Sequence, residues 1–157
     1  MEIKKILWLE DQYEDFSAYR SALFRSGYLI DFVKSVSEAE EKIREKKYTA
    51  YIFDIKVLPG DTEEWSTLDI KKREGNPNFD SNLGLELLRS LFNSKKARVK
   101  LDPPIKINPQ KVIVFSVVYD EAEEISSFGI PEEQIVNKSA ADLTTLPELI
   151  KKIENET

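Results

Sequence analysis

The sequence predicts an α/β fold, a doubly wound parallel sheet of five strands with helices on both faces. Two observations carry that prediction. Short apolar or aromatic runs alternate along the chain with segments of helical spacing, the pattern of a parallel sheet. Four of the runs also deliver polar side chains at their C-terminal ends: Ile6-Leu7-Trp8-Leu9 leads into Glu10-Asp11, Ala50-Tyr51-Ile52-Phe53 into Asp54, Val112-Ile113-Val114-Phe115 into Ser116, and Ile135-Val136-Asn137 into Lys138. Open α/β sheets place their ligands in the crevice outside those ends.

Taken in order, strand one is Lys5–Leu9. Helix one is expected over about Tyr13 to Ser26, with Phe16, Tyr19 and Leu23 on one side and Gly27 as the stop. Strand two is Tyr28–Val33. The spacing Ser37-Glu38-Ala39-Glu40 predicts a capping box opening helix two, which faces Ala39 and Ile43 inward. Strand three ends at Asp54, and its unbroken apolar character suits a strand buried on both faces.

A long connection then runs from 55 to 82, and a long connection in a compact domain tends to be functional or disordered. Within it Asp61-Thr62-Glu63-Glu64 can cap a short helix reaching Glu74, with Trp65, Leu68 and Lys72 on its inner side. Asn76-Pro77-Asn78 reads as a turn. Helix three is Leu83 to Phe92, with Leu85, Leu88 and Phe92 facing in. A second irregular stretch, Asn93 to Gln110, carries Lys95, Lys96, Arg98, Lys100 and Lys106 against Asp102, and reads as a solvated linker or a salt-sensitive contact for an acidic partner. Strand four is Lys111–Val118, and helix four about Glu121–Phe128, with Asp120 as N-cap and Gly129 as stop. Strand five is Gln134–Asn137, and helix five begins near Thr145, with Glu148 as its capping-box partner. The whole, 1–157, is expected to be one domain with insertions at about 60–82 and 93–110.

Composition narrows the chemistry. A net charge of −6 argues against generic binding to nucleic acid or anionic membranes. No apolar run approaches the roughly 20 residues that span a bilayer, and the N-terminus does not read as a signal peptide. A cytoplasmic location is therefore expected. Cysteine and histidine are both absent, which removes thiolate and Ser-His-Asp catalysis, His or Cys metal ligands and phosphohistidine. Carboxylates, hydroxyls and amines must do the work.

In the predicted fold Glu10, Asp11 and Asp54 share one crevice, with Ser116 and Lys138 on its rim. Three carboxylates together repel, and one takes up a proton unless a counter-charge is present. Lys138 and a hard divalent cation such as Mg²⁺ supply that charge. A cation with open positions suits a phosphoryl group in transfer, with Asp54 as nucleophile, Ser116 as hydrogen-bond donor and Lys138 as counter-ion.

These residues resemble the receiver domains of two-component response regulators, the CheY-like superfamily. The likeness rests on Trp8-Leu9-Glu10-Asp11, Phe53-Asp54-Ile55, Gly84-Leu85-Glu86-Leu87-Leu88, Val114-Phe115-Ser116 and Val136-Asn137-Lys138, and covers all but the two long connections. It implies a flavodoxin-like (βα)5 sheet in the order 2-1-3-4-5; the connection after strand three, 55–82, is extended well beyond what is usual in the family. It also implies Mg²⁺-dependent transfer of a phosphoryl group from a histidine kinase or phosphotransfer protein to Asp54. By the same resemblance Glu10 and Asp11 organise the metal with Asp54, and the backbone carbonyl of Lys56 reaches it. Ser116 is then the switch hydroxyl and Lys138 the paired lysine. Signalling through protein–protein contacts, or a homodimer, would use the face formed by helix four, strand five and helix five. Nothing follows helix five but Asn155-Glu156-Thr157, so a stand-alone domain without a DNA-binding module is expected, and no membrane partner.

The sequence departs from the family at four places. Ile135 stands three before Lys138, where receivers usually carry a mobile aromatic, and Ser139 replaces the usual proline. Val117 replaces a small residue, and Pro59 falls one position late. The acceptor set is complete while the relay that reports phosphorylation is unusual. A phosphorylation-independent, receiver-like interaction module is the alternative reading. Hydrolases of the haloacid dehalogenase type and topoisomerase-primase nucleases want Asp-x-Asp, and Lys56 stands where the second Asp would be. Neither a G-x-G-x-x-G nor a P-loop motif is present. The expectation is a signalling domain rather than an enzyme.

Overall fold

A computed structural model of the chain describes residues 3–74, 81–117 and 120–156. Five parallel strands lie in the order β2-β1-β3-β4-β5, where β1 is Lys4–Leu9, β2 Tyr28–Val33, β3 Ala50–Phe53, β4 Val112–Ser116 and β5 Ile135–Asn137. This is the flavodoxin-like layout expected. The helices are α1 (Ser17–Arg25), α2 (Val36–Glu45), α3 (Glu63–Glu74), α4 (Leu83–Leu91), α5 (Ala122–Ser127) and α6 (Thr145–Glu156). The extra helix α3 lies in the long connection after β3, so the expected helices three, four and five are α4, α5 and α6.

Alternation along the strands splits the core in two. Leu7, Leu9, Tyr51, Phe53, Val112 and Val114 face the layer that contains α2 to α5. Ile6, Trp8, Ile52, Ile113 and Phe115 face Leu23 of α1 and Leu146, Ile150 and Ile153 of α6. Each strand end is therefore fixed from both sides, and the residue after it has little freedom.

Several local expectations change. The first turn of helix one is a 3-10 turn, Tyr13–Phe16. Helix α2 is capped by Ser35, whose hydroxyl accepts from Glu38 N at 3.2 Å, and not by Ser37. Ser37 instead donates to the Pro59 carbonyl at 2.7 Å and accepts from Thr62 N at 3.2 Å, so the start of the long connection docks on it. Gly60 sits at φ 86°, and a Cβ there would meet both serines at 2.6 Å.

Helix α3 packs as the sequence suggests, with Trp65 buried and its Nε1 donating to Glu40 at 2.9 Å. Helix α4 is buried almost all round, including Leu83, Glu86, Leu87, Ser90 and Leu91 as well as Leu85 and Leu88, while Phe92 is its C-cap. The basic stretch is no free linker. Val99 and Leu101 are buried in the core, and Arg44 donates to the Pro103 carbonyl at 2.7 Å. Strand β4 stops at Ser116, and Val117 is exposed. Asp120 does not cap α5, whose N-cap is Glu121 without a side-chain bond. Thr145 turns its hydroxyl toward Asp142. The expected turn at 76–78 and residue 118 lie outside the described residues.

Candidate functional site

The C-terminal ends of β1, β3, β4 and β5 meet in one hollow, and the local backbone fixes how. Glu10 N donates to Val33 O at 2.9 Å and Asp54 N to Leu9 O at 3.1 Å, so each acid leaves its strand tied to the neighbouring one. Gly84, in the first turn of α4, donates its N–H to Ile55 O at 2.8 Å, and a Cβ there would lie 1.9 Å from Asp54 O. Only a glycine lets α4 come this close to the acid.

Asp54 is 4% exposed, and both its oxygens are held. Oδ1 accepts from Ser116 Oγ at 2.5 Å and from Ile55 N at 2.7 Å. Oδ2 accepts from Lys138 Nζ at 2.9 Å. Ser116 is buried inside the hollow rather than on its rim. Lys138 starts a 3-10 turn, Lys138–Ala140, pinned by Asn137 Oδ1 accepting from Ser139 N at 3.0 Å. Its ammonium is shared, lying 2.5 Å from Glu10 Oε1 as well.

That contact is an ion pair without hydrogen-bond alignment, and Glu10 Oε1 is a buried oxygen with no hydrogen bond. Burial, and then the charge of Asp54, push the Glu10 carboxyl up to about 7, with Lys138 offsetting part of the rise. Burial pulls the Lys138 ammonium down, but the charge of Asp54 and the Glu10 partner outweigh it and raise its pKa. One lysine does not neutralise the set.

Asp11 completes the cluster: one oxygen each from Glu10, Asp11 and Asp54 lie within 4.8 Å of one another. An all-oxygen donor set containing an unbonded buried carboxylate oxygen fits a hard divalent cation. Lys56, two residues beyond Asp54, has an exposed side chain. The sequence thus places Glu10, Asp11, Asp54, Ser116 and Lys138 together as expected. It did not single out the Ile55 N–H, Gly84 as the close-approach residue, or the Phe16 ring 4.8 Å from the Lys138 ammonium. Phe16 had a visible signal only in its place soon after the acidic pair.

No family model matches the sequence, and no curated protein matches it. Solved structures do match. The signal receiver domain of a putative Luxo repressor protein from Vibrio parahaemolyticus superposes with TM-score 0.59 at 17% identity, covering 99% of this chain and 95% of that one. A CheY-like response regulator receiver domain protein from Methanospirillum hungatei JF-1 gives 0.56 at 19% identity, covering 99% and 100%. The receiver domain of a sensor histidine kinase from Pseudomonas aeruginosa PAO1, solved with magnesium in its active site cleft, gives 0.54 at 13%, covering 98% and 99%. The chain has the fold of receiver domains over nearly its whole length.

Proposed function

We propose that this chain works as a phosphoacceptor receiver, taking a phosphoryl group on Asp54 from the phosphohistidine of a kinase or phosphotransfer protein. The observation that carries the reading is the division of the Asp54 carboxylate: one oxygen held by Ser116 and the Ile55 N–H, the other by Lys138, beside two further acids. In the step, an Asp54 oxygen forms a bond to phosphorus while the phosphorus–nitrogen bond of the donor breaks. The departing imidazole keeps the electron pair and then takes a proton from solvent.

Lys138 holds the carboxylate by its charge and then meets the new phosphoryl oxygens. Ser116, already aimed at Asp54, donates to the product, and the Ile55 N–H keeps the carboxyl plane fixed through the attack. Glu10, Asp11 and Asp54, with the Lys56 carbonyl, would hold a magnesium ion, which when bound supplies positive charge to the phosphoryl oxygens. The output is a protein contact, for which we assign the α5-β5-α6 face, which could also form a homodimer. The chain 1–157 acts as one signalling domain, and its phosphoryl chemistry is limited to gain and loss at Asp54.

A second reading, a phosphorylation-independent interaction module, is favoured by Ile135. It packs against the core where an aromatic relay is usual, and Val117 and Ser139 also depart from the pattern. Incubation with acetyl phosphate and Mg²⁺, read by intact mass, separates the two. The expected result is one added phosphoryl group in the native chain and none in Asp54→Asn. No addition to the native chain at any Mg²⁺ concentration leaves the second reading.

A further inference from the structure

We propose that Phe16 is a positioning residue for the phosphoryl step, its ring face holding the Lys138 ammonium at the mouth of the acidic hollow. This rests on the phosphoacceptor reading of the same site.

An ammonium has three donors, all of which need partners. One donates to Asp54 Oδ2 at 2.9 Å, while Glu10 Oε1, 2.5 Å from the nitrogen, is an ion-pair partner without a hydrogen bond. The Phe16 ring centroid lies 4.8 Å from the same nitrogen and the Phe115 centroid 6.0 Å. Lys138 is thus held between carboxylates on one side and ring faces on the other, with its side chain only 17% exposed. A ring face attracts a cation through its quadrupole, most strongly where water is excluded.

Phe16 can do this because it is itself held. It ends the 3-10 turn Tyr13–Phe16, which follows the acidic pair, and its ring meets Trp8 at 5.9 Å, Tyr19 at 5.8 Å and Phe115 at 5.8 Å. The last two contacts are T-shaped, and the Lys138 ammonium lies over the same ring. Trp8 and Phe115 lie on strands β1 and β4, so the ring's place is set by the sheet that also sets Glu10 and Ser116.

The chemistry favours a ring over a third carboxylate. Another acid would bind the ammonium more tightly, but would add a further negative charge to the crowded set of Glu10, Asp11 and Asp54. A ring holds the ammonium without adding charge, and it leaves the ammonium's N–H donors open to an arriving phosphoryl oxygen. As the Asp54 oxygen–phosphorus bond forms and the donor's phosphorus–oxygen or phosphorus–nitrogen bond breaks, Lys138 turns a donor to the phosphoryl oxygen while the ring face stays against the ammonium and keeps it in place. The leaving group carries away the electron pair.

Two measurements test this. The first needs no phosphorylation: the Lys138 ε-methylene protons should resonate upfield of ordinary lysines because of ring currents, and should move back in Phe16→Leu. An ordinary shift in the native chain overturns the placement. The second is the rate of phosphoryl uptake from acetyl phosphate with Mg²⁺. A ring-fluorinated phenylalanine at position 16 keeps the shape but drains the ring face, and should slow uptake about 5- to 30-fold, whereas Phe16→Tyr should stay near the native rate. A fluorinated variant as fast as the native chain, or a Phe16→Tyr as slow as the fluorinated one, reduces Phe16 to packing and overturns the proposal. A native chain that takes no phosphoryl group overturns the phosphoacceptor reading and the kinetic half of this one, while the ring-current shift still decides whether Phe16 holds the ammonium.

Discussion

Glu10 and Glu86 are both 1% exposed, yet their surroundings differ in kind. Glu86, on α4, is met by Lys72 of α3 at 2.7 Å and Arg89 at 3.3 Å, with Arg98 at 3.7 Å. Arg89 continues to Glu124 of α5 through two bonds of 2.7 and 2.8 Å. Cations there outnumber the acids, and the network ties the inserted helix to α4 and α5. Around Glu10, among the described residues, the acids outnumber the cation: Glu10 and Asp54 share Lys138, Asp11 stands beside them, and one buried oxygen is left without a hydrogen bond. A buried carboxylate with its charge met is a structural fastening. A buried cluster with its charge unmet is a place prepared for something else, and burial alone does not tell the two apart.

The joint between these regions is the first turn of α4, and breaking it should have the largest effect. Gly84→Ala places a Cβ against the Asp54 carbonyl, so overpacking of about 3 kcal/mol or more is expected. Denaturant unfolding should show the loss, and Mg²⁺ affinity should fall with it. A stable Gly84→Ala chain with native Mg²⁺ affinity would mean that α4 does not bear on the acidic cluster.

The next test sets the two acids against each other. Glu86→Ala removes the buried acid that Lys72 and Arg89 share and should cost about 2 kcal/mol in denaturant unfolding, with Mg²⁺ affinity unchanged. Glu10→Gln removes one of the crowded charges, so in metal-free buffer stability should hold or rise by about 1 kcal/mol. Its Mg²⁺ affinity should drop by about tenfold or more, read by calorimetric titration. Equal destabilisation by both substitutions would erase the distinction between fastening and site.

The smallest effect concerns pH. The Arg89 guanidinium holds the Glu124 carboxyl below its ordinary value of 4.5, despite partial burial. A depressed acid contributes stability above its unfolded value and loses it as pH falls through the folded one. The α4–α5 tie should therefore weaken only as pH falls below that ordinary value of 4.5. The contribution should be about 1 kcal/mol or less, and absent in Glu124→Gln. Matching unfolding curves for the two chains as pH falls through that range would show that the pair adds nothing.

Much of the site was legible because strands buried on both faces leave a plain signature. Phe53 and Phe115 end apolar runs, so Asp54 and Ser116 stand out as the first polar residues beyond the core. What could not be read depended on the inserted segment. Ser35 and Ser37 each stand three before a glutamate, and only the docking of Pro59 and Thr62 onto Ser37 leaves the cap to Ser35. The inward set Leu85, Leu88 and Phe92 understates α4, because neighbouring elements including α3 also cover Glu86 and Ser90. A one-sided helical pattern does not announce a helix buried all round when its second side carries charge.

By itself the sequence determined the sheet, the order of the polar residues at its edge and the absence of histidine and cysteine, since hydrophobic period and residue type are local properties. Only the tertiary structure decided that Lys138 is shared between Glu10 and Asp54, that Gly84 lies against the Asp54 carbonyl, and that the Phe16 ring lies by the ammonium. Each is an encounter between residues remote in sequence, and its energy depends on distance and burial, which a linear pattern does not carry.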